Sequence, residues 1–161
     1  MLLSSGGTVV SEASQAYPVN APKPGWAESD PQAWWQAVGE AVRRAVNGYA
    51  LEVQTIGLSG QMHGVVLSDA SGRPLRPAIL WADGRSIQEL QTLRALPERL
   101  QSRLANPVVV GMAAPSLLWL KQHELTVYTK ARWALQPKDW LRLWLTGEAQ
   151  SEPSDALSKR L

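Results

Sequence analysis

The feature that most constrains the fold of this chain is a set of three apolar, strand-like runs separated by short polar junctions. The runs are residues 53–58, 65–68 and 78–81, and a turn over residues 69–72 joins the last two. In open α/β sheets, ligands bind in the crevice beyond the carboxyl ends of strands. Polar side chains follow two of these runs, which predicts a pocket of the kind that a polyol or sugar requires. The polar residues are Gln61, His63, Asp83 and Arg85, and Met62 lies between the first two.

Composition limits the class of protein to a globular domain of ordinary character. The chain has 161 residues, of which 45% are hydrophobic and 19% are charged, enough for one domain with a core. A net charge of +2 gives no basis for nucleic-acid binding. The absence of cysteine excludes disulfides and thiolate metal sites and fits a cytoplasmic location. We expect neither a signal peptide nor a membrane span, which needs about 20 apolar residues.

Local signals predict alternating strands and helices in the first half of the chain. Apolar runs on both sides of Ser4–Gly7 predict a hairpin whose second strand continues towards Tyr17, and residues 18–25 form a proline-rich loop. Asp30 and Pro31 then open a helix as N-cap and first residue, and Gly48 can end it.

The second half predicts further helices with one short strand between them. Helices are expected over residues 84–96, 97–104 and 115–124 and from Pro137 to a stop at Gly147, with an extended apolar loop over residues 106–111 and a strand over residues 131–135. The alternation of strands and helices indicates the α/β class. The eight tryptophans, several at helical spacing, are expected mainly in the core, and Trp34 and Trp35 are expected to anchor their helix to the sheet.

Each candidate site residue also has a structural interpretation. His63 alone fits a histidine bonded to a backbone carbonyl, and Trp81 fits a core residue at a strand end. Asp83 and Arg85 fit a surface ion pair of little energetic weight. Small neighbours around His63 favour a ligand contact instead, because they leave room for close approach. Metal binding is not expected, since the only other histidine is His123.

Two motifs resemble the xylulokinase group of the FGGY carbohydrate kinase family. They are S-G-Q-M-H-G at residues 59–64 and R-P-A-I-L-W-A-D-G-R at residues 76–85. The similarity extends over residues 2–156 and includes E-S-D-P-Q-A-W-W at residues 28–35 and S-D-A at residues 154–156. The chain departs from the family pattern at Ala82, where asparagine is usual, and at Leu125, where proline is usual.

The resemblance implies a fold and a domain organisation. The fold is the actin-like, ribonuclease H-like ATPase domain, a mixed sheet with flanking helices, here expected to lack its first strand. Residues 1–161 would be a partial N-terminal, sugar-binding domain without the C-terminal ATP-binding domain. The family's general-base aspartate lies beyond Leu161 and its phosphate loop before residue 1, so no catalytic residue is expected in this chain. Self-association through an exposed sheet edge is also expected.

The resemblance also implies a reaction, the phosphorylation of D-xylulose by ATP with Mg²⁺, neither of which is expected to bind this chain tightly alone. His63 would hydrogen-bond a sugar hydroxyl, Met62 would pack against the carbon skeleton and Gln61 would support them. Trp81, Asp83 and Arg85 would line the same pocket. The alternatives are an FGGY kinase for gluconate, ribulose or glycerol, a non-catalytic sugar-binding or partner-binding remnant, and a structural α/β domain without a ligand.

Overall fold

The computed structural model describes residues 1–101 and 108–152, which form strands covered by helices on both faces. The strands are β1 (Leu2–Leu3), β2 (Val9–Ser11), β3 (Glu28–Ser29), β4 (Val66–Ser68), β5 (Ala78–Ile79) and β6 (Trp133–Leu135). The helices are α1 (Pro31–Ala45), α2 (Ile87–Arg94), α3 (Glu98–Gln101), α4 (Ala113–His123), α5 (Leu125–Lys130) and α6 (Pro137–Thr146). This arrangement confirms the α/β class. None of the described helices is long and apolar enough to cross a membrane.

The strands form three antiparallel pairs, two of which join into a small central sheet. β3 pairs with β5 and β4 with β6, while β1 and β2 form the predicted hairpin. Two backbone hydrogen bonds between Val65 and Ile79, of 2.8 and 3.1 Å, connect the two inner strands. The central order is therefore β3, β5, β4, β6, with every neighbouring pair antiparallel.

Successive residues of the inner strands face opposite helical layers, as the two-residue period of a strand requires. Val66 and Ala78 contact one core cluster together with Trp34 of α1 and Trp140 of α6. Val65 and Ile79 contact a second cluster with Leu117 and other apolar residues of α4. Both faces of the sheet are therefore buried, which explains why these strands are continuous apolar runs.

Helices α1 and α6 begin where the sequence predicts and α6 also ends there, whereas α1 ends at Ala45, before the predicted stop at Gly48. The Asp30 carboxylate accepts a 2.9 Å hydrogen bond from the Gln32 N–H at the start of α1. Pro137 is the first residue of α6, and Gly147 follows its last residue with a left-handed φ of 77°. Trp34 is 3% exposed and Trp35 packs beside the same cluster, so both anchor α1 to the sheet as predicted.

Two indoles hold α6 to the turn between β4 and β5. The Nε1–H groups of Trp140 and Trp144 both donate to the carbonyl oxygen of Gly72, each at 2.9 Å. The Asp69 carboxylate fixes the same turn by accepting from the Ser71 hydroxyl and the Arg73 N–H, and these bonds lower the pKa of Asp69. The turn is thus held from inside and from the neighbouring helix.

Several boundary predictions are wrong. Residues 53–58 are not a strand: a 3₁₀ turn over Ala50–Glu52 precedes them and Ile56 is 66% exposed, because no neighbouring described strand pairs with this segment. The second hairpin strand ends at Ser11 instead of continuing towards Tyr17, since the Ser14 carbonyl accepts from the Arg44 side chain instead of a partner strand.

Other elements differ in length or were not predicted. β3 and α5 had no predicted counterpart, and α4 begins at Ala113, two residues earlier than predicted. The predicted helix over residues 97–104 is seen as α3, and its last three positions lie outside the described residues. Residues 106 and 107 of the predicted loop and the S-D-A motif at 154–156 also lie outside them. Self-association stays a prediction.

Replacing Gln136, the residue before α6, with an apolar residue is expected to stabilise the protein. Gln136 is fully buried, and neither its Oε1 nor its Nε2 has a hydrogen-bond partner among the described residues. A buried polar group without a partner costs about 1–3 kcal/mol. We expect Gln136→Leu to raise the free energy of unfolding, measured by urea denaturation, by about that amount. Gln88→Leu, at an exposed position of α2, is the matched control. A less stable Gln136→Leu variant would contradict this prediction.

Candidate functional site

Four segments converge at one end of the central sheet because all neighbouring strands are antiparallel. Val65 lies opposite Ile79, so the residues before β4 and those after β5 meet at the same end. β3 begins there as well, since the Leu80 N–H donates to the Ala27 carbonyl at 3.0 Å. β6 ends there too, and Leu135 is paired with Val66. This end of the sheet, called the site end below, brings Trp26, His63, Trp81 and Gln136 into one region.

The His63 backbone adopts a strained conformation that the fold does not explain. Its φ is 68°, and the Gly64 N–H donates to the Met62 carbonyl at 2.9 Å, which makes His63 the central residue of a γ-turn with positive φ. Such turns are rare and cost about 1–3 kcal/mol. Strain of this kind concentrates at functional sites. The energetic cost of the turn therefore makes His63 a candidate functional residue.

The His63 imidazole is not used by the fold. Its Nδ1 is buried and has no hydrogen-bond partner among the described residues, so the interpretation of a histidine bonded to a backbone carbonyl finds no support there. Met62 beside it is 59% exposed, and Gln61 is half-buried. A Cβ added at Gly64 would lie 3.0 Å from Pro137 Cγ, so the turn approaches the start of α6 closely.

Trp81 and Asp83 lie on the turn after β5 but in very different environments. Trp81 is 60% exposed, so its interpretation as a core residue is wrong. Asp83 is 1% exposed and accepts four hydrogen bonds, one from the Ala27 N–H at 2.6 Å and three from Arg85 at 2.8–2.9 Å. The bond from the Arg85 N–H holds residues 84–86 out of the predicted helix, which begins at Ile87 instead.

The Arg85 guanidinium is the centre of a buried charged cluster. It pairs with Asp83 and also with Glu28 at 2.7 Å, and Arg76 joins the same Glu28 carboxylate and extends to Glu124 at 2.8 Å. The expectation of a surface ion pair between Asp83 and Arg85 is therefore wrong. Three acidic and two basic groups are thus paired with one another, which offsets the energetic cost of burying their charges.

Two tryptophans complete the environment of Arg85. Its guanidinium carbon lies 3.6 Å from the ring centre of Trp26 and 5.0 Å from that of Trp119, in cation–π geometry. The two rings meet edge to face at 5.4 Å. The sequence does not indicate the part played by either tryptophan, by Glu28 or by Arg76, because nothing in their local spacing relates them to Arg85.

The site end therefore has an exposed part and a buried part. Met62, His63 and Trp81 can contact a small molecule, whereas the carboxylate of Asp83 has no free acceptor position and Arg85 is 9% exposed. Two clefts, of about 590 and 250 Å³, lie along α6, and neither is lined by His63 or Trp81, although Gln61 borders the smaller one. The exposed part is thus an open surface at the end of the sheet.

The buried cluster predicts a large loss of stability when one charge is removed. Asp83→Asn keeps the volume but sets an amide N–H₂ against two of the four donors that the carboxylate accepts, and breaking a buried pair typically costs about 3–5 kcal/mol. We expect a loss of that size in urea denaturation. Glu40→Gln, which removes the exposed pair with Arg43 on α1, is the control and should change little. Equal stabilities of the two variants would refute the structural role of Asp83.

Comparisons with known proteins agree with this architecture. The profile of the FGGY family of carbohydrate kinases, N-terminal domain, matches residues 1–160. The xylulose kinase of Escherichia coli (strain K12) is 42% identical over 157 residues, which are 97% of this chain and 32% of that protein. The chain thus spans about a third of the length of the curated relatives it matches.

Solved structures give the same result. A crystal structure described as a xyloylose kinase from Brucella ovis matches with a TM-score of 0.91 at 40% identity, over 97% of this chain and 33% of that one. The xylulose kinase from Rhodospirillum rubrum matches with a TM-score of 0.80 at 29% identity, over 88% of this chain and 31% of that one. The expected fold of the actin-like sugar kinases is confirmed, and the chain belongs to the FGGY family of carbohydrate kinases.

Proposed function

We propose that this chain is the sugar-binding part of a xylulokinase, which transfers the γ-phosphoryl group of ATP to the terminal hydroxyl of D-xylulose in the cytoplasm. In this reaction the bond between the γ-phosphorus and the ADP oxygen breaks. A new bond forms to the sugar oxygen, and the hydroxyl proton passes to a base. The products are ADP and D-xylulose 5-phosphate. The identity of 42% to a protein named xylulose kinase supports this assignment.

The observation that carries the proposal is the strained His63 turn beside the exposed Trp81 at one end of the sheet. A sugar offers hydroxyl groups to an imidazole and C–H faces to an aromatic ring and a thioether. We propose that His63 bonds a hydroxyl while Met62 and Trp81 pack against the carbon skeleton. Gln61 supports the turn from its half-buried position.

Asp83 and Arg85 have a different role in this proposal from the direct sugar contact that the resemblance implies. Because all acceptor positions of Asp83 are used within the protein, direct contact of its carboxylate with a sugar would require the cluster to open. We propose that the two residues act through Trp81. Their hydrogen bonds fix the turn that carries the indole, and a fixed acceptor hydroxyl lowers the barrier to transfer.

In this proposal the described residues position the sugar. Phosphoryl transfer in such enzymes relies on Mg²⁺ and on groups that cradle the phosphates. No three acidic or histidine side chains within residues 1–101 and 108–152 cluster in a way that could hold a metal ion.

The proposed activity predicts that the complete gene product releases ADP from ATP only when a pentulose is present. We expect D-xylulose to give the highest kcat/KM among D-xylulose, D-ribulose, gluconate and glycerol in a coupled ADP assay. A higher kcat/KM with one of the other three would assign a different sugar. Thermal protection by D-xylulose without ADP release would favour a non-catalytic sugar-binding protein.

Two substitutions at His63 separate the role of the imidazole in sugar binding from the energetic cost of its positive φ. His63→Ala and His63→Gly both remove the imidazole, and we expect each to raise the KM for D-xylulose about tenfold, the value of one hydrogen bond of about 1.4 kcal/mol. Only glycine relieves the positive φ. His63→Gly should therefore unfold with a free energy about 1 kcal/mol higher than His63→Ala. Unchanged KM in both variants would remove His63 from the sugar site.

A further inference from the structure

Gly111 has a backbone position that no other residue can occupy without moving its neighbour. Its φ is 87°, and a Cβ built on its backbone would lie 2.0 Å from the carbonyl oxygen of Trp81 and 3.1 Å from the carbonyl carbon. Contacts of Cβ atoms below 3.0 Å essentially never occur. The close approach and the positive φ therefore both require glycine.

The two sides of this contact are tied to different parts of the core. Gly111 lies two residues before α4, whose Leu117 and Leu120 are buried against Val65 and Ile79. The Trp81 backbone follows Leu80, whose N–H donates to Ala27. Because the core holds both segments, a side chain at position 111 could be accommodated only by displacing the Trp81 carbonyl.

We infer that Gly111 is a positioning residue for Trp81, and that its missing side chain sets where the exposed indole stands against the sugar. This inference rests on the proposed sugar site and deepens it. The contact joins the loop before α4 to the turn after β5. Displacing the Trp81 backbone moves the indole relative to the His63 turn, and misplacing a binding group lowers the efficiency of transfer.

Gly48 provides a matched control for the glycine conformation itself. Its φ of 85° is nearly that of Gly111, but a Cβ there would meet no atom within 4 Å. Alanine at either position therefore carries a similar backbone cost, and only alanine at 111 collides with Trp81. If the two variants differ in the position of Trp81 or in the KM for D-xylulose, that difference measures the effect of the contact between residue 111 and Trp81.

The test uses the complete gene product labelled with 5-fluorotryptophan and the variants Gly111→Ala and Gly48→Ala. The fluorine resonance of Trp81 is assigned by its loss in Trp81→Phe. We expect Gly111→Ala to shift this resonance and to raise the KM for D-xylulose at least about fivefold with the KM for ATP unchanged. In a Trp81→Ala background, Gly111→Ala should raise the KM for D-xylulose no further, because the two changes act through one contact.

Either of two results would overturn the inference. One is a Trp81 resonance and a sugar KM in Gly111→Ala equal to those in Gly48→Ala. The other is an equal rise in KM with and without the Trp81 indole. If the wild-type protein releases no ADP with D-xylulose, the proposed function fails, and the fluorine shift still decides whether Gly111 positions Trp81.

A second pair of variants covers the case in which Gly111→Ala does not fold. Val110→Gly loosens the loop beside Gly111 without adding atoms, and Asn47→Gly does the same beside Gly48. We expect only Val110→Gly to shift or broaden the Trp81 resonance. Identical spectra of these two variants would count against the inference.

Discussion

Two hydrogen bonds between the backbones of Val65 and Ile79 determine both the packing of the core and the geometry of the site end. They join the β3–β5 and β4–β6 pairs into one sheet and set its register. Because a strand has a two-residue period, a slip of one position would turn Val66 and Val65 to the wrong helical layers. The same register places His63 two residues before one partner and Trp81 two residues after the other, so core packing and site geometry are fixed together.

The helical layers complete this arrangement with aromatic residues that also carry polar groups. The Trp140 and Trp144 indoles bond the Gly72 carbonyl, and the Trp34 indole donates to the Ser29 hydroxyl at 2.8 Å. A phenylalanine could fill the same space but could not satisfy these oxygens. The chain has eight tryptophans and no phenylalanine, and here the indole N–H is part of how helices and turns are joined.

The sequence predicted those features that depend on local signals. The Asp30 cap, the Pro137 start and the Gly147 end each act within one turn of helix, and all three are present. Residues 53–58 have strand composition, but a strand also needs a partner, which local composition cannot supply. The same distinction between local signals and contacts with distant residues applies to the candidate site. The exposure of Met62 agrees with a site at the junction after residue 58, whereas the burial of Asp83 depends on Ala27, Glu28 and two distant tryptophans.

The row of rings along α1 and α6 has an optical consequence. Tyr17, Trp34, Trp140, Trp144 and Trp35 follow one another with ring centres 5.0–6.4 Å apart. At such separations excited states couple, and excitation passes between indoles faster than it is emitted. Near-ultraviolet circular dichroism from this row is then a collective signal of the α1–α6 layer.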